Sequence, residues 1–143
     1  MEEEEGGLRY LIDASALYTL LKRRKDMVVE IIDASAIIDL TKYEIGDALW
    51  VEWRRGLIEN PKRTMRGWMK LLSFIKEIQL DRGELDEVED LALELSLPFY
   101  DASYIYIARR MGLTLLTDDV EMRDKAAKLG VKTLTTVEFL KTV

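Results

Sequence analysis

Apolar and polar positions along this chain fall into blocks of two different periods, and each change of period marks a strand giving way to a helix. Leu8, Tyr10, Leu11 and Ile12 form a short apolar run suited to a buried strand, which stops at Asp13. Residues 14–25 carry Leu17, Leu20 and Leu21 on one helical face. They close on Lys22-Arg23-Arg24-Lys25, cations that complement the negative end of a helix dipole. Residues 27–38 fit helix and strand equally well. A helix is expected from Thr41 through Ile45, Ala48, Leu49 and Trp53 to a stop at Gly56. After the turn signal Asn60-Pro61, residues 65–78 read as one helix, apolar over much of its circumference through Trp68, Leu71, Leu72, Ile75 and Ile78. Beyond Arg82-Gly83, a clean helical stripe of Leu85, Val88, Leu91, Ala92 and Leu95 follows. Pro98 opens a helix that runs through Arg110 and closes at Gly112. The tail reads as strand 113–117, helix 120–129, strand 131–134 and a short helix 135–141 opened by the capping box Thr135-x-x-Glu138.

Alternating strands and helices imply a mainly parallel sheet covered by helices, an α/β fold whose ligands bind beyond the carboxyl ends of the strands. Asp13 and the pair Asp118-Asp119 each directly follow such an end. Two acidic positions about a hundred residues apart are therefore expected on one edge of one sheet.

Composition narrows the chemistry. The chain has 143 residues with no histidine and no cysteine, which excludes a Ser-His-Asp triad, a cysteine nucleophile and an ordinary zinc site. Magnesium or manganese needs only oxygen ligands. The length and the 48% hydrophobic content suit a single domain over residues 1–143, with the acidic start at 1–7 read as a disordered leader. No apolar run approaches the roughly 18 residues needed to span a bilayer, and the start lacks the pattern of a secretion signal, so a cytoplasmic protein is expected. A net charge of -6 argues against a polyanionic partner, but its distribution reverses that argument. Residues 51–76 hold seven cations against two acids, whereas residues 81–94 hold seven acids against one cation. The basic stretch is a candidate phosphate-binding face or an ordinary solvated helix face, and the acidic one is plain surface.

Each acid has a structural and a functional reading. Asp13 suits the N-cap of the helix that begins at Ala14, with Ser15 placed to orient a carboxylate or to be a first-turn serine. Glu44 fits a capping box with Thr41, and Asp47 lies one turn further along the same helix. Asp101 sits among Tyr100, Ile105 and Ala108, where burial without a cation would be costly. One of Asp118 and Asp119 caps the following helix, and Asp118 is the choice for that role. The string Ile-Asp-Ala-Ser-Ala occurs at residues 12–16 and again at 32–36, but two copies do not make a repeat array, and Asp33 is set aside as a decoy.

Four strings in order, Tyr10-Leu11-Ile12-Asp13-Ala14-Ser15-Ala16-Leu17, Leu40-Thr41-Lys42-Tyr43-Glu44, Pro98-Phe99-Tyr100-Asp101-Ala102-x-Tyr104 and Leu115-Leu116-Thr117-x-Asp119, resemble the PIN-domain ribonucleases, and more narrowly the VapC-type toxins of archaea and bacteria. The resemblance covers residues 8 to about 136. It implies a three-layer α/β/α sandwich and a metal-dependent endoribonuclease held in check by a small antitoxin. It also implies a homodimer and one or two Mg2+ or Mn2+ ions bound by Asp13, Glu44, Asp101 and Asp119. Ser15 and Thr117 match positions that support those acids. Asp47 stands where relatives often carry asparagine, and Asp118 competes with Asp119 for the fourth ligand position. The RNA would follow the basic positions Arg23, Arg24, Arg54, Arg55, Arg63 and Arg66; Trp50, Trp53 and Trp68 read first as core or interface packing and second as stacking surfaces.

Two other classes compete. A non-catalytic PIN-like binding or assembly module would keep the acids without cutting RNA, and the apolar excess of residues 65–78 motivates it. Aspartyl-phosphate transfer through Asp13 would need a D-x-D string or a strand-end lysine, and neither stands in the expected place.

Overall fold

The computed structural model describes residues 7–142, so the expected leader lies outside the described residues except for Gly7. Five strands, β1 (Tyr10–Ile12), β2 (Ser35–Ile38), β3 (Lys76–Ile78), β4 (Thr114–Leu116) and β5 (Thr133–Leu134), form one sheet in the order β3-β2-β1-β4-β5. Every neighbouring pair is parallel.

Side chains alternate across the strands, and the two faces build two cores. Tyr10, Ile12, Ile37 and Leu116 point into one. There they meet α1 (Ala14–Arg23), α2 (Lys25–Ile31), α3 (Thr41–Arg54), α4 (Pro61–Leu72) and α8 (Thr136–Thr142) through residues such as Leu17, Val28, Ile45, Leu49, Leu72 and Phe139. Leu11, Ala36, Ile38 and Leu115 point into the other, against α5 (Leu85–Leu95), α6 (Phe99–Met111) and α7 (Val120–Lys128). This is the three-layer α/β/α sandwich that the alternating periods imply.

Three expectations change. The ambiguous residues 27–38 contain both elements: α2 ends at Ile31, a single tight turn covers Ile32–Ala34, and β2 follows. The helix expected over 14–25 accordingly stops at Arg23. Residues 65–78 are not one helix. Asn60 caps α4 by accepting the amide hydrogen bond of Arg63 at 3.0 Å, α4 ends at Leu72, and the edge strand β3 begins at Lys76. The apparent all-round apolarity arises because Trp68 and Leu72 obey a helical period while Ile78 obeys a strand period, and all three are buried. With it goes the motive for a protein-binding module built on that stretch. Phe74, 74% exposed, is what remains of it at the surface.

β1 leads through α1 and α2 to β2 on one side, and the chain returns much later to place β4 on the other side. The order of strands thus reverses between β1 and β4, a topological switch point of the kind that opens a crevice at the carboxyl edge. Ile12 pairs with Leu116, and the Asp13 amide donates to the Leu116 carbonyl at 3.1 Å. Asp13 and Thr117 therefore leave the sheet side by side. Asp33 does not join them, because its copy of the shared string precedes β2 whereas Asp13 follows β1, which puts the two at opposite edges.

Candidate metal centre

Asp13 is the most confined of the acids, only 3% exposed. It is the N-cap of α1, its Oδ1 accepting the Ala16 amide at 2.8 Å and the Ser15 hydroxyl at 3.2 Å. Burial pushes its carboxyl up to about 6; the hydroxyls of Thr117 and Ser15 and the Ala16 amide oppose the rise, and the charge of Asp118 adds to it. Capping and function are not alternatives here, since the Ala16 amide and the Ser15 hydroxyl both engage Oδ1 alone.

Glu44 does not form the capping box expected with Thr41. The Thr41 hydroxyl instead accepts the Ile38 amide at 3.2 Å and shares a 2.8 Å hydrogen bond with the Tyr104 hydroxyl, which donates to Glu44 Oε1 at 2.8 Å. Each hydroxyl in this chain donates once and accepts once, so it runs without conflict from the end of β2 to the carboxylate. Tyr104 is buried from α6, across the sheet's carboxyl edge from α3. Burial raises the Glu44 carboxyl, the Tyr104 hydrogen bond lowers it, and the charge of Asp101 raises it again. Asp101, in the first turn of α6, is raised by burial and then by the charges of Asp119 and Glu121. The two sides of the crevice are therefore electrostatically linked, Glu44 to Asp101 and Asp101 to Asp119.

The capping role expected of Asp118 falls to its neighbour. Asp119, not Asp118, caps α7, accepting the Met122 amide through Oδ1 at 3.0 Å, while its own amide donates to Thr117 Oγ1 at 3.1 Å. Asp118 reaches the other way and accepts from the Thr136 amide at 2.7 Å and the Thr136 hydroxyl, pinning the start of α8. The geometry of the strand end explains this, because consecutive residues point to opposite sides as the chain leaves β4. Asp47 is exposed on α3 and lines a cavity together with Glu44 and Ser15.

Among the basic positions, Arg23, Arg54, Arg55, Arg63 and Arg66 are exposed. Arg24 is held by Asp26 at 3.0 Å, and Arg54 lies 5.2 Å from the centre of the Trp50 ring. Trp68 is removed from the stacking candidates: it is buried edge-to-face against Tyr18, with ring centroids 5.4 Å apart. Sequence reasoning missed the Thr41-Tyr104 link and the contribution of Glu121. A tyrosine three residues after an aspartate on a helix was the available signal for the first.

Among the described residues, no three carboxylates close around a single point. They form instead an open edge of oxygen donors coupled in pairs. The donor chemistry fits a hard divalent cation: the chain has no histidine or cysteine, and Asp13, Glu44 and Asp101 are raised first by burial and less by neighbouring carboxylates, a cost of holding negative charge that such a cation would relieve.

A parallel sheet that reverses its strand order at an edge lined with acids defines a class, and the chain belongs to the PIN-domain family, whose profile matches residues 10–128. Within that class the chain is similar to Exonuclease VapC9 of Pyrobaculum aerophilum, with 42% identity over 89% of this chain and 93% of that protein. It is also similar to Ribonuclease VapC3 of the same organism, with 29% identity over 82% of this chain and 95% of that protein. The crystal structure of PAE2754 from Pyrobaculum aerophilum superimposes with a TM-score of 0.78 and 38% identity, covering 95% of this chain and 96% of that one. No helix among the described residues is long and apolar enough to cross a membrane.

Proposed function

We propose that this chain is a ribonuclease that hydrolyses phosphodiester bonds of single-stranded RNA with magnesium or manganese, and that it acts as the toxin of a pair whose other member is a small antitoxin protein. One observation supports the reading: Asp13 leaves β1 beside the end of β4 where the strand order reverses, and at the same edge the charge of Asp119 acts on Asp101 and that of Asp101 on Glu44. The relatives named Exonuclease VapC9 and Ribonuclease VapC3 support it.

The four carboxylates are the groups that would hold the metal. When bound, a divalent ion supplies neutralising charge and a water of lowered pKa. The protein's part is preorganisation. Ser15, Thr117 and the Ala16 amide hold Asp13, Tyr104 holds Glu44, and the Met122 amide holds Asp119, so that these three carboxylates keep fixed orientations. Exposed Arg23, Arg54, Arg55, Arg63 and Arg66 draw the RNA backbone to the protein. The homodimer implied by the family resemblance belongs to the same proposal, and light scattering reads it directly.

Internal cutting and end-wise digestion separate cleanly on a circular RNA incubated with manganese. We expect the circle to be opened, and chelation by EDTA to stop the reaction. An intact circle beside a linear RNA shortened from one end would overturn internal cutting and keep the nuclease; no hydrolysis of either RNA with either metal would overturn the nuclease itself.

A further inference from the structure

Beside the acidic edge lies a cavity of about 630 Å³, between the first turns of α1 and α3 and the start of α6. This falls in the roughly 300–1,000 Å³ range of clefts that take small planar ligands. Tyr18, Tyr43 and Tyr100 wall it, and Glu44 belongs both to the cavity and to the candidate metal centre. Tyr43 and Tyr100 are 69% and 56% exposed, aromatic surface that folding does not cover. Tyr18 is held in place from behind, its hydroxyl donating to Glu52 at 2.5 Å and its ring packed against Trp68. The lining residues include no lysine or arginine; Lys22 and Lys42, 5.6 and 5.3 Å from the Tyr18 and Tyr43 ring centres, are each paired with a glutamate, Glu52 and Glu77, and Asp47 adds a carboxylate one turn from Glu44. Such a cavity repels a phosphate and suits a flat, neutral group with N–H donors.

We infer that this cavity seats one unstacked base of the RNA next to the phosphate at the acids, and that Asp47 makes it select bases carrying an exocyclic amino group. The inference rests on the nuclease reading and extends it to the choice of substrate. Every base offers a face to stack on tyrosine, so the three rings supply affinity without selection. A carboxylate supplies selection, because it accepts from the amino groups of cytosine, adenine and guanine, whereas uracil flanks its single N–H with carbonyl oxygens that a carboxylate repels.

The test uses the full chain with fluorescein-labelled hexamers of adenosine, cytidine and uridine, binding being read by anisotropy in calcium and the RNA recovered afterwards to verify that it is intact. Two variants, Asp47→Asn and the double Tyr43→Ala/Tyr100→Ala, alter exposed side chains and are checked for folding by circular dichroism. We expect the wild type to bind the adenosine and cytidine hexamers about five-fold or more tightly than the uridine hexamer. Asp47→Asn should erase that difference, and the double variant should weaken all three about ten-fold. Hydrolysis of a mixed-sequence RNA in manganese is followed in parallel. Equal affinities in the wild type, or affinities and cleavage positions unchanged in both variants, would overturn the base site and leave the nuclease standing. Base-selective binding without hydrolysis in any metal would overturn the nuclease and leave the base site. An antitoxin side chain found filling the cavity while RNA binding ignores both variants would also overturn it.

Discussion

Asp13→Asn should make the metal-free protein more stable while abolishing its proposed activity. Asp13 is 3% exposed, and burial lifts its carboxyl from an ordinary 3.8 to about 6. The folded chain thus holds this proton when the unfolded chain has released it, so stability falls as pH rises from about 4 to about 6 and stays lowered above that. At about 1.4 kcal/mol per unit, the charged carboxylate costs the fold about 3 kcal/mol at pH 7. Asparagine carries no charge, and its oxygen can still accept the Ala16 amide as an N-cap. An amide accepts the Thr117 hydroxyl less well than a carboxylate does, which returns about 1 kcal/mol. The net gain is about 2 kcal/mol. With a denaturant slope of about 2 kcal/mol per molar, the urea midpoint in EDTA should rise by about 1 M at pH 7. The gap between variant and wild type should close near pH 4, where Asp13 is protonated in the folded chain and about half protonated in the unfolded one. A variant no more stable at pH 7, or a gap that persists unchanged at pH 4, would refute the reasoning.

The same electrostatics govern the remaining predictions. Magnesium or manganese should stabilise the wild type by mass action, about 2.7 kcal/mol at a hundred times its dissociation constant, with EDTA reversing the shift; calorimetric unfolding checks this, and no shift up to millimolar metal would contradict it. Tyr104→Phe keeps the ring in the core but removes the hydrogen bond that orients Glu44. It should lower kcat about ten-fold or more with little change in KM, and cost about 1 kcal/mol in stability, measured by steady-state hydrolysis and urea unfolding. Asp118→Ala should release the start of α8 at a cost of about 1 kcal/mol while leaving metal affinity within a few-fold, as read by manganese titration, because Asp118 is engaged with Thr136.

The parts of the architecture set by local pattern were legible in advance. Strand ends at Asp13 and Thr117, the helix from Thr41, the Gly112 stop and the Thr135-Glu138 capping box all appear, the last as a reciprocal pair at 2.9 and 3.0 Å. What local pattern could not supply was partition. Residues 65–78 merged a helix and an edge strand because both bury apolar side chains, and only the sheet decides where one period ends. The acids were individually visible, but their partners were not. Thr41 fits a capping box by spacing, yet its hydroxyl goes to Tyr104, 63 positions away, because the carboxyl edge of the sheet brings α3 and α6 together. Likewise, which of Asp118 and Asp119 faces the crevice depends on the direction in which the chain leaves β4.

Single-turnover hydrolysis of a labelled single-stranded RNA in manganese, compared between the wild type and Asp13→Asn, Glu44→Gln, Asp101→Asn and Asp119→Asn, probes the shared role of the four acids most directly. If they act as one metal-holding unit, each variant alone loses about a hundred-fold or more in rate, and pairing two adds little further. Wild-type rates in any of the four would contradict the account.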